Sequence, residues 1–599
     1  MENNRNYFVA IALSVLILIA WQFLYVNPKI EQERVAAEAH QARQQTQQQA
    51  ENPAAGQQAT PAGALPGAGA VPGTSENRDQ ALSRSARIPV DTPSLSGSIN
   101  LTGARFDDLK LKKFRETVNP QSPIITLFSP AETPEGYFAE LGYVGSAETG
   151  AVPGPQTVWT LASGTTLTSA TPVTLSYTND KGVIFTRTIS VDDDYMFSVA
   201  DTIENTGSTP LSLGSYGRVT RFSKPATPSV YVIHEGFIGV IGEHGLQEVS
   251  YGKAEDDKSI EPGPATGGWL GITDKYWAAT LVPPQAKPFD TRFSHFTDGR
   301  ERYQSDYRQD GVTVAPGAKA DVKTLLFAGA KTVPVVDRYE QSYAIPKFDL
   351  LIDWGWFYFI TKPMFKMMDY FFHLFGNFGV AILITTIVVK LLFFPLANKQ
   401  YASMANMKKV QPKMEELKKK HGDDRMALQQ AMMALYKEEK INPVAGCWPI
   451  LLQIPVFFAL YKVIYVTIEM RHAPFFGWIQ DLSAPDPTSL FNLFGLLPFA
   501  VPPMLHIGIW PLIMGVTMFL QMRMNPTPPD PTQAMLFNWM PVVFTFMLAS
   551  FPAGLVIYWA WNNTLSIIQQ AIIMKRHGVK VELFSNLTSL FSRKQKTAG

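Results

Sequence analysis

The sequence predicts a polytopic α-helical membrane protein of six transmembrane helices that carries a large all-β domain outside the membrane. Three observations predict it. Five apolar stretches crowd the last 225 or so of 599 residues. Before them, apolar and polar residues alternate, as in Val173–Thr178 and Val183–Thr188 on either side of Asn179-Asp180-Lys181-Gly182; this is the period of half-buried strands joined by a turn. Basic residues cluster beside the apolar stretches. Asn398–Gly446 holds ten Lys/Arg against six Asp/Glu, and Lys575–Gly599 holds six against one, although the whole chain nets only +1. Excess Lys/Arg in short segments next to spans marks the cytoplasmic side.

In chain order, residues 1–27 form an anchor. Tyr7–Val26 has no acid or base and is long enough for one crossing. Trp21–Tyr25 follows its apolar core without a small-x-small cleavage site, so the anchor is expected to stay attached. Residues 28–84 read as a disordered tether, glutamine-rich at Gln41–Gln49 and Ala/Gly/Pro-rich at Pro53–Gly73, because such a composition cannot bury a core. Residues 85–335 are the β-domain, with further strands expected at Tyr195–Glu204, Val230–Ile241 and Ala320–Ala328. With no long helical pattern among them, the class is a large antiparallel sandwich.

Residues 336–375 are a connector ending in an amphipathic helix over Phe357–Phe375. Lys362, Lys366, Asp369 and His373 share one face, and Ile360, Met364, Met367, Phe371 and Phe375 the other, a pattern suited to the membrane interface. The remaining spans are expected at 376–396, 447–468, 507–522, 536–551 and 554–574. Leu490–Pro511 is apolar but broken by four prolines, and reads as a re-entrant or interfacial segment. The fourth and fifth spans are short, which local thinning of the bilayer can accommodate. Parity then puts the amino terminus, the basic segment 398–446 and the basic tail 575–599 inside. The β-domain and the loop Glu469–Thr488, which nets −2, lie outside.

The segment Lys399–Lys440 reads as a cytoplasmic helical hairpin. Gly422 can end its first helix, and Asp423 or Asp424 can cap the second. Met404, Met407, Met414, Met426, Met432 and Met433 form either the hairpin's own seam or an adaptable surface for partners. The single cysteine, Cys447, excludes an intrachain disulfide and reads as a small buried hydrophobe at a span entrance.

The candidate functional site centres on Lys390, inside the second span. A charge there costs roughly 2.5–3.5 kcal/mol on insertion scales. One reading is a lysine snorkelling to the interface. The other is a wet cavity, favoured by Thr386 one turn earlier on the same face. The sixth span supplies possible partners for Lys390 in an unusually polar inner half, with Asn562, Asn563, Thr564, Ser566, Gln569 and Gln570, and carries Tyr558, Trp559 and Trp561 near its middle. Gln453, Thr517 and Gln521 add polar groups from the third and fourth spans. None is an acid, so Lys390 should attract acidic or polar segments. Lys462, nearer the outer end of the third span, is expected to snorkel.

No GxxxxGK[ST] loop and no HExxH motif occurs, so neither an ATPase nor a zinc peptidase is built in. No cofactor, metal or nucleic-acid substrate is expected. His234-Glu235, Glu243-His244 and Asp192–Asp194 read as solvated loop groups. The residues alone therefore imply a passive handler of chains or solutes. A transporter using Lys390 as an anion site is the competing class, but it calls for inverted repeats, and the sequence shows none. A sugar-modifying enzyme on an anchor is a third, and six spans exceed what anchoring needs.

Longer motifs choose among these. Asn442–Pro449, Gln453–Tyr461, Met432–Lys437 and Met514–Phe519 resemble the YidC-type membrane protein insertases, most specifically from about Trp354 to Met574. The anchor, tether and external domain are similar in order and size to the Gram-negative form. The resemblance implies a five-helix insertase core with a groove open to cytoplasm and lipid, and an all-β periplasmic supersandwich without known catalysis. It implies that Lys390 is the groove's basic residue, where arginine is commoner, and that Thr386 and Trp559 touch substrate, the latter often being tyrosine. The spans 447–468 and 536–551 would be the apolar slide, and the hairpin Lys399–Lys440 a capture element. The implied partners are nascent membrane proteins, membrane lipids and the Sec translocon, with the ribosome and the signal recognition particle receptor as further candidates. The implied location is the cell inner membrane, multi-pass, with both termini cytoplasmic.

Overall fold

Strict alternation along Val183–Val191 buries Val183, Phe185, Ile189 and Val191 and leaves hydrophobic and polar neighbours between them half-buried, as a strand with one covered face requires. In the computed structural model this strand belongs to an antiparallel sheet that runs Leu246–Ser250, Gly236–Ile241, Gly268–Thr273, Trp277–Val282, Lys319–Ala330, Met196–Asn205, Val183–Val191, Val173–Thr178, Thr160–Ser163. A second sheet runs Arg87–Asp91, Leu95–Asn100, Arg105–Arg115, Tyr137–Val144, Leu211–Arg221, Arg302–Val314, Pro288–Phe296, Ser259–Ile260. Both sheets contribute to one apolar core. The structure describes residues 76–225, 233–421, 424–439, 448–499, 501–502, 505–525 and 531–579. The expected anchor, the tether as far as residue 75, Cys447 and the tail beyond 579 lie outside the described residues.

One buried ion pair ties the sheets together. Arg187 donates to Asp201 through Nε (2.8 Å) and Nη2 (2.7 Å), and through Nη1 to the carbonyl of Leu141 on the facing sheet (3.1 Å). Tyr143, also on the facing sheet, donates to Asp201 (2.8 Å), and the guanidinium lies 4.9 Å from the Trp159 ring centroid.

The domain begins earlier than the composition implied. Residues 76–84, expected in the tether, carry helix α1 (Arg78–Ser83), capped by Asn77. Arg78 pairs with Asp108 and donates to the Phe128 carbonyl (3.0 Å). A six-residue polar helix has no apolar period to announce it, and tertiary bonds hold it in place. Helix α2 (Tyr251–Asp257) is capped by Ser250, and α3 (Val333–Ser342) opens the connector.

Helix α4 (Tyr358–Phe375) uses its surface differently from the expected two faces. Thr361, Met364, Phe365 and Met368 are buried, while Phe359, Tyr370, Leu374 and Phe375 are exposed. On its charged side, Lys362 bridges Asp337 (2.9 Å) and Asp349 (2.7 Å). The charged face thus docks on the connector, because its cations meet acids there. Helix α5 (Phe378–Leu392) starts at an Asn377 cap and stops before the predicted end of its span. Helix α6 (Phe394–Lys420) departs at 70°, with Pro395 in its first turn, where a missing N–H costs nothing. Helix α7 (Arg425–Glu438) completes the hairpin, and Asp424 accepts from Met426 N and Ala427 N at 3.0 Å. Met414 and Met432 lie in the seam, whereas Met426 and Met433 are exposed. The remaining helices are α8 (Trp448–Val466), α9 (Ile509–Met524), α10 (Pro531–Leu548) and α11 (Ala553–Arg576).

Among the described residues, no single helix is long and apolar enough to cross a membrane by itself. The bent pair α5–α6 meets that test jointly, and shorter apolar helices cover Ile454–Val466, Ile509–Met524 and Ala534–Leu548. Helix α11 has the length, but the polar residues of its carboxyl-terminal half dilute its apolar character.

Lys462 does not reach for solvent as expected. It pairs with Asp353 at 2.7 Å, because the connector brings an acid to it. Just beyond α8, Glu469 accepts the Val333 N–H at the start of α3 (2.8 Å), while its other carboxylate oxygen is buried without a partner. Burial pushes this carboxyl up to about 7, with Asp369 as a further raising influence. A raised carboxyl stabilises the fold below its unfolded value and loses that contribution as pH rises through the folded one. The full chain is therefore expected to melt higher at pH 5 than at pH 8, by at most about 1.4 kcal/mol per pH unit across that window. Glu469→Gln should flatten the profile in thermal unfolding followed by tryptophan fluorescence. An unchanged slope would remove Glu469 as its source.

Candidate functional site

Helix α11 is the hub of the helical region, and its polar carboxyl-terminal half is why. Trp561 donates its indole N–H to the Leu383 carbonyl of α5 (3.1 Å). Asn563 reaches Thr517 of α9 (3.4 Å), and Gln570 reaches the Met524 carbonyl (3.3 Å) and Asn525 (3.2 Å). Each bond satisfies a polar group that would be costly to bury alone.

The face of α11 turned to α5 and α8 borders a cavity of about 220 Å³. Thr386, Val389, Lys390 and Phe393 line it from α5 and its end, Ile454, Val456, Phe457 and Leu460 from α8, and Tyr558, Trp559 and Asn562 from α11. Lys390 sits in the last turn of α5 and donates to Ser566 Oγ at 2.6 Å. Ser566 donates in turn to the Asn562 carbonyl (2.8 Å), and also meets the Tyr401 hydroxyl of α6. Among the described residues no carboxylate forms an ion pair with Lys390. Thr386 donates to the Ile382 carbonyl one turn back (2.7 Å), which leaves its oxygen free to accept. Phe457 stacks on Trp559 with centroids 5.0 Å apart. The result is a cation on an otherwise largely apolar wall, open to a segment that brings its own polar groups.

Of the residues singled out from sequence, Lys390, Thr386, Tyr558, Trp559 and Asn562 come together here. Thr517 does not; it faces Asn563 at the α9 contact. Gln569 is outside the lining, with its amide nitrogen buried and unpartnered. The Gln453 side chain lies outside the described residues. The two segments expected to form the slide are held differently. Helix α8 supplies cavity wall and packs on α4 and α11, whereas α10 packs on α9 and contributes nothing to the lining. Both present exposed apolar residues, such as Phe458 on α8 and Trp539 and Val543 on α10.

Ser566, expected from sequence only as one of six polar groups of the sixth span that could partner Lys390, is brought to the ammonium group by the packing of α11 on α5. Its one signal is its place a turn beyond Asn562 on the polar face of α11. The apolar lining residues carry no signal that separates them from other span residues.

Comparison with known proteins agrees with this architecture. Residues 87–367 match the family model described as the YidC periplasmic domain, and residues 370–580 the one described as 60Kd inner membrane protein. The chain is 78% identical over 599 residues to a membrane protein insertase YidC of Rhizobium meliloti (strain 1021), covering 100% of both chains. It is 69% identical over 595 residues to the insertase YidC of Agrobacterium fabrum (strain C58 / ATCC 33970), covering 99% of each. A crystal structure of an active YidC insertase with its first transmembrane domain resolved is 19% identical, with a TM-score of 0.34, over 82% of this chain and 92% of that one.

Proposed function

We propose, proceeding from the fact that the chain belongs to the YidC family of membrane protein insertases, that it receives incoming chains in the groove around Lys390 and releases their apolar segments into lipid without nucleotide hydrolysis. The protein is an inner-membrane insertase with a periplasmic all-β domain and a helical carboxyl-terminal region, and its substrates are nascent membrane proteins. It is not an enzyme.

The observation that carries the groove reading is Lys390 in its cavity, bonded to a neutral hydroxyl and free of any ion pair among the described residues. A short polar or acidic part of the incoming chain is drawn toward that charge, and Thr386 and Asn562 offer it hydrogen bonds. Its apolar segment then passes the exposed faces of α8 and α10 into the bilayer. Burial of about 20 apolar residues supplies the drive, so no nucleotide is required. In this reading the chain crosses the membrane six times, with both termini and the α6–α7 hairpin cytoplasmic. The hairpin, with exposed Met426 and Met433 and a lysine-rich end to α6, is the capture element. There it would meet the ribosome, the signal recognition particle receptor and, for part of its work, the Sec translocon.

The test is insertion of a small single-span protein into liposomes that hold only the purified full-length chain, scored by protease protection. Protection above that of empty liposomes is expected, unchanged when apyrase removes nucleotide. Protection no higher than in empty liposomes, or lost with apyrase, would overturn autonomous, nucleotide-free insertion.

A further inference from the structure

Asp486 is buried at the base of the loop that leads into α9, and four donors converge on it. Oδ1 accepts the Trp478 indole N–H (3.1 Å), the Thr488 N–H (3.0 Å) and the Thr488 hydroxyl (2.7 Å), and Oδ2 accepts the Trp510 N–H (2.9 Å). Thr488 Oγ1 accepts from Ile509 N (3.0 Å), and Leu490 N donates to the Ile507 carbonyl (2.8 Å). These bonds occupy donors at the start of α9 that would otherwise lack a partner. They also close the neck of a loop whose tip includes residues 490–499.

Beyond the neck the loop turns its apolar residues outward. Leu493 and Phe494 hold left-handed backbone, with φ of 51° and 59°, at a cost of about 1–2 kcal/mol each. Leu490, Phe491, Leu493, Phe494 and Phe499 are exposed, and Leu496 is 82% exposed. The chain has no Asp, Glu, Lys or Arg between Asp486 and Arg523. So dense an apolar patch marks an interaction surface. Its position identifies the partner. The patch precedes α9 in the chain, and Ile513 and Val516 of α9 are likewise exposed. With 16 residues, α9 is about 24 Å long at 1.5 Å per residue, against about 30 Å of hydrocarbon.

We propose that residues 490–499 form a preformed hydrophobic wedge seated among phospholipids at the outer face of the membrane, with Asp486 closing its neck. The wedge supplies the lipid contact that the short α9 lacks. It stays at the interface because irregular backbone needs headgroup water to satisfy its polar groups. The proposal rests on the placement of α9 across the membrane given above.

The test uses the full chain with Cys447→Ser, and Leu496→Cys or Phe499→Cys carrying an NBD label. A Glu148→Cys label on an exposed turn of the β-domain is the aqueous control. Each is reconstituted into phosphatidylcholine–phosphatidylglycerol vesicles with and without spin-labelled phospholipid. Both loop labels are expected to be quenched by the lipid spin label and to be about threefold less accessible to iodide than the control. Iodide access equal to the control would overturn the wedge. So would protection from iodide without lipid quenching, which would mean that protein, such as a second copy, covers the patch. Insertion measured on the same vesicles separates the two readings: activity without lipid quenching sinks the wedge and leaves the insertase standing.

Discussion

Lys390→Glu is expected to reduce insertion of a single-span protein about tenfold or more, with Lys390→Arg close to the parent chain and Lys390→Ala between them. The order follows from what surrounds the ammonium group. Among the described residues its hydrogen-bond partner is the neutral Ser566 hydroxyl and no carboxylate pairs with it, so its field is available to a substrate. At an effective dielectric near 20, a unit charge about 6 Å away is worth roughly 3 kcal/mol, and reversing the sign changes that term twice over. Water in the groove screens part of it, and about 1.4 kcal/mol is enough for a tenfold loss. Arginine keeps the charge and adds a planar fork, so its activity separates charge from shape. Equal insertion by Lys390→Glu and the parent chain would remove Lys390 from the mechanism. Ser566→Ala is the companion control: it leaves the charge and removes its tether, so a loss here without a loss in Lys390→Arg would assign the effect to positioning.

The largest effect on stability is expected at the buried pair between the sheets. Asp201→Ala leaves Arg187 charged, fully buried and without its two bonds to the carboxylate. Breaking a buried pair from one side costs about 3–5 kcal/mol. Tyr143 loses its acceptor as well. The double replacement Arg187→Met with Asp201→Leu removes both charges and should recover much of that loss, since an apolar pair of similar volume is often as stable as the ions it replaces. The comparison is made on the full chain by urea unfolding followed by tryptophan fluorescence. A single variant as stable as the parent would contradict the assignment, and a double variant no better than the single would show that the pair contributes more than mutual compensation.

How legible the molecule was depends on the kind of signal. The strands Val173–Thr178 and Val183–Val191 announce themselves by strict alternation, because one sheet face is buried. The turn at Asn179–Gly182 is announced by residues that favour it. Helix α1 is not legible: six polar residues held by Arg78 to Asp108 and to the Phe128 carbonyl have no period of their own. The end of α5 at Leu392 was obscured by the apolar run through Pro395, since hydropathy does not register a change in helix direction. At the candidate site, Lys390, Thr386, Tyr558, Trp559 and Asn562 stood out as polar or amphipathic groups in apolar spans. Thr517 stood out equally, yet it serves a helix contact.

Composition and period alone identify which segments are strands and apolar helices, where charge accumulates beside them, and that Lys390 and Lys462 sit within apolar runs. These are local properties of composition and period. The partners come from the folded chain: Ser566 receives Lys390, Asp353 meets Lys462, and Asp486 gathers donors from both sides of its loop. The reason is physical: a polar group in an apolar setting must find a partner, and distant chain segments supply those partners when they pack together.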